Sequence, residues 1–262
     1  MSPIDDAAEA SAGGPARQSP VPFSDIGERK TKTYNTGVTR EAVVDAAEQL
    51  TRIHGLEGWT TRQLLAEVST SFSVVYRLVG DREALSAAVA DRVVAAIPIA
   101  DPALPWKVWV TEELLATRVC LLEYPGVAQW LVTRGGTPSV VPHVETALAV
   151  LTQAGFGDEA VTAWTFVFLS TVMLIVLSDF RKPATDNQPS PISHAAMLER
   201  LDAIPGFEER IAAMRALIRD LSGEQHDQTV QEGFEYALAR SLAGLDVRLE
   251  ELTQQNGGPD TT

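Results

Sequence analysis

A short run of the chain, residues 72–77, carries side chains suited to contacting nucleic acid. Four of them fall at positions i, i+1, i+4 and i+5, which share one face of a helix: Phe72, Ser73, Tyr76 and Arg77. A guanidinium pairs with phosphate or with O6 and N7 of guanine, a phenol donates to phosphate, and an aromatic ring contacts thymine methyl groups. The spacing therefore favours DNA recognition, with simple packing of the rings as the alternative.

Helix start and stop signals on either side predict the elements that position this face. The residues that suit a helix N-cap are Thr39, Thr60, Ser71 and Asp81. Gly55 and Gly80 are predicted to end the first and third helices. Two short helices joined at Ser69-Thr70, behind a longer first helix, match the helix-turn-helix pattern. A fourth helix is expected to run to about Ile97.

Helix N-termini attract anions, which adds phosphate contacts to this prediction. Thr61 and Arg82 lie near helix starts, and Arg40, with Lys30 and Lys32, is placed to follow the DNA backbone or minor groove. The predicted DNA-binding residues are Arg40, Thr61, Ser71, Phe72, Ser73, Tyr76, Arg77 and Arg82.

The charge of the chain allows such a contact only locally. The 262 residues carry a formal net charge of −14, and the pI is about 4.7. Residues 29–82 are different, because eight basic and six acidic side chains give that stretch a small positive charge. A protein that binds nucleic acid over its whole surface is excluded, whereas a local patch is compatible with these numbers.

The stretch from Thr39 to Val89 resembles the DNA-binding domain of the TetR family of transcriptional regulators. The resembling residues are Thr39-Arg40-Glu41-Ala42-Val43-Val44-Asp45-Ala46-Ala47, Gly55, Thr60-Thr61, Leu65-Ala66, Ser71, Tyr76-Arg77 and Gly80-Asp81-Arg82-Glu83-Ala84-Leu85. The resemblance implies an all-α fold, with an N-terminal helix-turn-helix head and a C-terminal helical body that binds a small molecule and forms a dimer. It also implies a repressor that its effector releases from operator DNA.

Four positions depart from the family pattern. Ser69 stands where the family usually has glycine in the turn, and Phe72 stands where lysine or a small polar residue is common. Leu78-Val79 replaces a frequent His-Phe pair, so Arg77 is the one formal charge on the recognition helix. These departures leave an alternative function: a dimeric helical adaptor that binds proteins and whose head no longer binds DNA.

The rest of the chain is predicted to form a helical body behind a proline-containing linker. Helices are predicted at about 105–123, 139–154, 158–180, 193–203, 207–222 and 228–252. The family resemblance assigns the dimer interface to the third and the last of these. The predicted interface residues are Phe168, Val172, Leu238, Leu242, Leu245 and Leu249. Packing of the leucine stripe within one subunit is the alternative.

The body helices also carry aromatic and polar side chains suited to an effector pocket, since pockets are mostly apolar with a few polar anchors. The predicted ligand-binding residues are Trp109, Arg118, Trp130, His143, Trp164 and Phe168. Ordinary core packing is the alternative for each. The four histidines are scattered without carboxylate partners at ligand spacing, so no metal and no cofactor are predicted.

Two other classes of protein are disfavoured. Residues 160–178 are uncharged and could form a transmembrane helix, but a helix buried on all sides fits better, because Thr and Ser interrupt the run. An enzyme is not expected, since phosphate-binding loops and the nucleophile motif G-x-S-x-G are lacking, and Cys120 sits among apolar residues. One cysteine and no export signal predict a cytoplasmic protein.

The sequence therefore predicts four regions: a disordered, partly basic arm at 1–35, a helix-turn-helix domain at 36–97, a ligand-binding and dimerisation domain at 104–255, and a flexible tail at 256–262. The expected partners are a double-stranded DNA operator, a small-molecule effector and a second copy of the chain, without a membrane.

Overall fold

A computed structural model describes residues 37–181 and 226–256, with isolated positions between residues 196 and 216. The predictions that lie wholly or largely outside these residues are the arm 1–35, the helices 193–203 and 207–222, and the tail 256–262. Below, the head means residues 37–97, and the body means residues 106–181 with 226–256. Every regular element of the two described ranges is helical.

The head contains four helices, α1 (Arg40–His54), α2 (Thr61–Glu67), α3 (Phe72–Val79) and α4 (Arg82–Ala95). Side-chain oxygens of Thr39, Thr60 and Asp81 cap α1, α2 and α4 as predicted, whereas Ser71 precedes α3 without a side-chain capping bond. Gly55 and Gly80 end α1 and α3 in the left-handed region, at φ +80° and +89°. The helix-turn-helix order of the sequence analysis is confirmed.

Apolar side chains from all four helices form the core of the head. Its members include Val43 and Ala47 of α1, Leu64 of α2, Val75 of α3 and Val89 of α4. Trp59 closes this core from the loop before α2, because its Nε1 donates to Oγ1 of Thr51 at 3.0 Å. Burial of each large apolar side chain contributes roughly 1.5–3 kcal/mol. The rotation of α3 about its own axis is fixed by this packing.

The body contains α5 (Trp106–Leu122), α6 (Val127–Arg134), α7 (Val141–Leu151), α8 (Ala160–Arg181) and α9 (His226–Asn256). A 3-10 turn, Pro138–Val140, leads directly into α7, and a π-type turn, Thr152–Phe156, follows it. Gly155 has φ +111° inside that turn. These described elements pack into one core with the head helices.

Helix α6 corrects the sequence analysis, which left residues 124–138 as a gap between helices. Its eight residues make about two turns, too few for an apolar period to stand out. Gly126 and Gly135 are the two caps of this helix, at φ +87° and +85°. Paired glycine signals bounded a short helix here rather than marking an irregular loop.

Helix α8 runs through the core of the body. Val167, Val172 and Ile175 on its inner faces are 2 % exposed or less, and the helix packs against α5, α6, α7 and α9. Within the described ranges, one stretch, 138–179, is long and apolar enough to cross a membrane by length and composition. A core helix has the same composition, and the packing of α8 on four neighbours fits a core helix.

Candidate functional site

The predicted recognition face of α3 lies on the surface of the head. Phe72 and Tyr76 are 57 % and 55 % exposed, and Ser73 and Arg77 are exposed beside them. The two rings stack with centroids 6.0 Å apart and an angle of 28° between their planes. Val75, on the opposite side of the helix, is buried in the head core. The structure therefore brings these four predicted side chains together on one solvent-facing surface.

The turn between α2 and α3 sets the direction in which this surface points. Ser69 has φ +48°, which places a residue with a Cβ in the left-handed region, as expected where glycine is usual. The N–H of Thr70 donates to the carbonyl of Leu65 at 3.3 Å and closes the turn. A side chain at such a φ costs roughly 1–2 kcal/mol. The serine thus keeps the geometry of a glycine turn under strain.

Three further predicted DNA contacts stand at helix N-termini of the head. Arg40 and Thr61 are the first residues of α1 and α2, and both are exposed. Ser71 directly precedes α3, and its Oγ lies 3.0 Å from Oγ of Ser73. Helix N-termini present N–H groups to phosphate. The contacts of these residues with DNA remain predictions.

Arg82 is placed differently from the prediction. Its guanidinium lies 3.1 Å from the ring centroid of Trp59 and donates to the carbonyl of Leu56 at 2.6 Å. Burial lowers the pKa of this guanidinium. A cation that stacks on an aromatic face and bonds a carbonyl is held inside its own domain. We therefore propose that Arg82 supports the head rather than binding phosphate, while its predicted contact with DNA stays a prediction.

Aromatic side chains predicted to bind an effector meet in the interior of the body. Trp109 is fully buried, and its ring centroid lies 5.8 Å from that of Trp164, which in turn lies 5.4 Å from Phe168. Nε1 of Trp109 donates to the carbonyl of Ala100 at 3.1 Å, in the linker that follows α4. The cluster thus joins α5 and α8 to the chain segment that leaves the head.

A buried carboxylate beside this cluster was missed by the sequence analysis. Glu113 is 1 % exposed, and its Oε1 lies 2.5 Å from Nδ1 of His143 on α7, which is 8 % exposed. Its Oε2 accepts from the N–H of Ala100 at 2.9 Å. Glu113 follows Trp109 by one helical turn, and this spacing is the signal that could have placed it on the buried face of α5.

Two other predicted effector residues lie apart from this pair. Trp130 of α6 is 8 % exposed, and its Nε1 has no hydrogen-bond partner among the residues that the structure describes. The guanidinium of Arg118 lies over the ring of Phe234 on α9, 5.0 Å from its centroid. Of the six residues, the structure therefore joins Trp109, Trp164 and Phe168 through their rings, and His143 to Glu113.

The predicted dimer interface needs a correction. Val172, Leu238 and Leu245 are 1 %, 4 % and 7 % exposed within one subunit, since they belong to the core that α8 and α9 share. Phe168, Leu242 and Leu249 are half-buried against the same core. Side chains that are already buried gain little from a partner, so the prediction is wrong for the first three. The leucine stripe packs mainly inside the subunit.

A different apolar face of the same two helices is exposed. On α8, Phe166, Leu169 and Met173 are 51 %, 42 % and 41 % exposed, at spacings of three and four residues. On α9, Tyr236 and Val247 are 71 % and 57 % exposed, eleven residues or three turns apart. The outer face of α8 therefore carries three large apolar side chains, and α9 carries two that share one side of the helix.

A turn of the body, residues 123–126, holds the end of α1. The hydroxyl of Tyr124 donates to Glu48 at 2.8 Å and accepts from Arg52. Burial, and then the hydrogen bond to Glu48, raise the pKa of Tyr124, so the phenol stays protonated at neutral pH. The N–H of Leu56 donates to the carbonyl of Pro125 at 2.8 Å. The head is thus bonded to the body through this turn.

The same turn also contacts α8. The N–H of Gly126 donates to a carboxylate oxygen of Asp179 at 2.9 Å. The φ of Gly126 is +87°, so a side chain is disfavoured there. Beside the turn, a groove of about 490 Å³ is lined by residues of head and body that include Arg52, Cys120 and Tyr124. The turn connects α8 directly to the head.

Side chains that could bind a metal ion are not clustered in the ranges given above. Within those described residues, no group of three or more His, Cys, Asp and Glu side chains is arranged to hold a metal ion.

Comparison with known proteins begins with sequence. No protein-family model matches the chain. The tetracycline repressor protein class D of Escherichia coli is 28 % identical to it, over 70 % of this chain and 88 % of the repressor. The alignment therefore spans most of both proteins.

Solved structures share the fold. ActR of Streptomyces coelicolor, a TetR family protein crystallised with actinorhodin, superposes with a TM-score of 0.58 at 21 % identity, over 79 % of this chain and 98 % of ActR. BioQ with its double-stranded DNA operator superposes with a TM-score of 0.51 at 23 % identity, over 55 % of this chain and 90 % of BioQ. These likenesses show that the chain has the all-α fold of these structures, a helix-turn-helix head followed by a helical body.

Proposed function

We propose that this chain is a homodimeric, ligand-responsive transcriptional regulator that binds operator DNA through α3. One observation carries the proposal: the recognition face of α3 is exposed, while the opposite side of the helix is fixed in the head core. A helix held in this way can enter a major groove without losing its packing. The DNA operator in the BioQ structure and the repressor name of the sequence relative support this function.

The contacts divide into two kinds. Phe72, Ser73 and Arg77 face the base edges, because they lie on the exposed side of the recognition helix. Arg40, Thr61 and the hydroxyl of Tyr76 hold the phosphates, because two of them begin helices and the third is an exposed donor. Ser71, at the N-terminus of α3, joins the second group.

The dimer forms through the exposed apolar faces of α8 and α9. Phe166, Leu169 and Met173 supply the centre of this surface, and Tyr236 with Val247 continue it. Stable homodimer interfaces often bury more than about 2,000 Å² in total and are more apolar than the remaining surface. A symmetric contact presents two copies of α3, which is what two half-sites about 34 Å apart require.

The effector is a small, largely apolar or aromatic molecule that binds among the body helices, near Trp109, Trp164 and the Glu113–His143 pair. The aromatic cluster and a paired carboxylate supply the apolar walls and the polar anchor that such sites have. The structure of ActR with actinorhodin supports this part of the proposal. The effector lowers the affinity for the operator. Because coupling between two binding sites is reciprocal, the operator lowers the affinity for the effector by the same factor.

Repression relieved by the effector is the proposed mode of action, in the cytoplasm and without enzymatic activity, a metal or another cofactor. The likeness to tetracycline repressors supports this mode. The single cysteine, which lies half-buried, fits a reducing compartment.

The test is a selection of genomic DNA fragments by the purified full chain, followed by footprinting with and without candidate effectors. We expect a protected, two-fold symmetric site whose protection is lost when an effector saturates the body. Failure to retain any double-stranded DNA at low salt would contradict the proposal and favour a protein-binding adaptor. Protection that every effector in a broad screen leaves unchanged would remove the ligand-responsive part alone.

A further inference from the structure

The recognition helix has few groups that can read bases by hydrogen bonds. Residues 60–80, which span α2, the turn and α3, contain three charged side chains, Arg62, Glu67 and Arg77. Bidentate recognition of guanine or adenine uses Arg, Lys, Asn or Gln, and within α3 Arg77 alone is of this kind. Most of the exposed area of the recognition face is therefore matched by an apolar group of the DNA rather than by a polar base edge.

Phe72 contributes apolar exposed area at the N-terminal end of α3. It is the first residue of α3, and the N-terminal part of a recognition helix is the part that reaches base edges. Its ring is 57 % exposed and stacks on Tyr76. The stacking contact with Tyr76 limits the freedom of this ring, which reduces the side-chain entropy that binding would cost.

The major groove contains one apolar group that fits this surface. The C5-methyl of thymine is the methyl that a base pair presents there, and phenylalanine is among the side chains that contact it. Neither a phosphate nor a guanine edge gains from a phenyl ring, because that ring offers no hydrogen-bond donor. The chemistry of Phe72 thus selects thymine over the other bases.

We propose that α3 reads thymine methyl groups through Phe72, with the ring of Tyr76 as its support, so that each operator half-site has thymine opposite the N-terminus of α3. The inference rests on the proposed function, since it names the base that the DNA-binding head selects. Arg77 then lies one helical turn further along and contacts a neighbouring base or phosphate.

The experiment replaces thymine by uracil in the operator. The wild-type full chain first selects duplexes from a random-sequence pool, and the selected site is then synthesised with deoxyuridine at its half-site thymidine positions. Uracil keeps the base pairing, the minor groove and the phosphates, and it lacks only the methyl group. We expect about a fourfold loss of affinity for each contacted methyl, because burying one such group is worth about 0.8 kcal/mol and 1.4 kcal/mol is tenfold.

Two variants assign the effect to Phe72. Phe72→Ser should bind the thymine and uracil duplexes alike, and its exposed position predicts normal thermal unfolding. Ile53→Ser is the matched control, because it removes a 71 % exposed apolar side chain from α1 of the same head. That control should keep the full sensitivity to uracil.

The outcomes separate the two proposals. Equal binding of both duplexes by the wild type, within twofold, would overturn the thymine inference and leave DNA binding in place. A uracil effect that persists in Phe72→Ser would overturn the assignment to Phe72. A pool from which no duplex is enriched would overturn the proposed function itself, and the inference with it.

Discussion

The head and the body depart from the usual distribution of side chains in opposite directions. The head turns two aromatic rings, Phe72 and Tyr76, toward solvent, whereas the body turns the carboxylate of Glu113 into its core. An exposed apolar patch usually marks an interaction site, and a buried charge is disfavoured unless it is paired. Both departures lie where we place a ligand: DNA at the head and an effector in the body.

The difference teaches how the two regions are stabilised. The recognition face contributes nothing to the core of the head, so its side chains are free to vary with the operator. Glu113, in contrast, bonds both the linker residue Ala100 and His143 of α7. Its site is part of the fold, and any ligand there must change contacts that hold the body together.

The largest effect should come from breaking the pair inside the body. Glu113→Ala leaves His143 and the N–H of Ala100 without their partner, and removing one member of a buried pair costs about 3–5 kcal/mol. Urea denaturation would measure the loss, with exposed Glu112→Ala as the matched control. A loss below about 1 kcal/mol would contradict the assignment of Glu113 as a structural centre.

The double variant sharpens the same point. Replacing Glu113 and His143 together by leucine removes both polar partners, and such replacements are often neutral or stabilising. We expect the double variant to recover much of the stability lost in Glu113→Ala. Failure to recover would show that the linker contact to Ala100, rather than the pair, carries the effect.

The next effect concerns the outer apolar face of the body. Leu169→Glu places a charge on each side of the proposed two-fold interface, and residues at the centre of an interface can each contribute 2 kcal/mol or more. We expect the dimer dissociation constant to rise at least about thirtyfold in sedimentation equilibrium. Val132→Glu is the control, because Val132 is similarly exposed but lies on α6. A wild type that is monomeric at micromolar concentration would contradict this interface.

Alanine variants of two arginines compare the exposed face of the head with its internal contacts. Arg77→Ala should weaken specific DNA binding by about 1–3 kcal/mol and leave stability unchanged.

Arg82→Ala should lower stability by about 1–2 kcal/mol, since it loses the Trp59 stack and the Leu56 bond. The salt dependence of DNA binding by Arg82→Ala should stay as in the wild type. A salt slope reduced by about one would restore the phosphate contact for Arg82.

The smallest effect is a gain of stability at the turn between α2 and α3. Ser69→Gly relieves the left-handed strain but gives the unfolded chain more freedom, which offsets part of the gain. We expect a net stabilisation of about 0.5–1 kcal/mol in thermal unfolding, with DNA affinity preserved. Destabilisation would show that Ser69 has a role beyond the backbone geometry.

Local signals in the sequence predicted the head well. Capping oxygens at Thr39, Thr60 and Asp81 and the stops at Gly55 and Gly80 act within a few residues, so helix bounds could be read without knowledge of the fold. The exposed face of α3 followed from spacing alone. The contacts that Arg82 makes inside the head could not be predicted, because its partners, Leu56 and Trp59, lie more than twenty residues away in the chain.

The body was harder because its decisive contacts join distant segments. The leucine stripe of α9 has the same period whether it faces its own subunit or a partner, so Leu238 and Leu245 were assigned to the wrong surface. Glu113 was overlooked, since its partner His143 is thirty residues further along. Spacing reveals that a face is apolar, and only the packing of α8 against α9 reveals what covers it.

The position of Cys120 offers a built-in reporter of the seam between head and body. Its Sγ donates to the carbonyl of Val93 on α4 at 3.4 Å, and burial raises the pKa of this thiol. The thiolate is the reactive form, so alkylation at neutral pH should be slow while α4 and α5 stay closed. Because the chain has one cysteine, a change in its labelling rate on addition of DNA or an effector would report a change at this contact between α4 and α5.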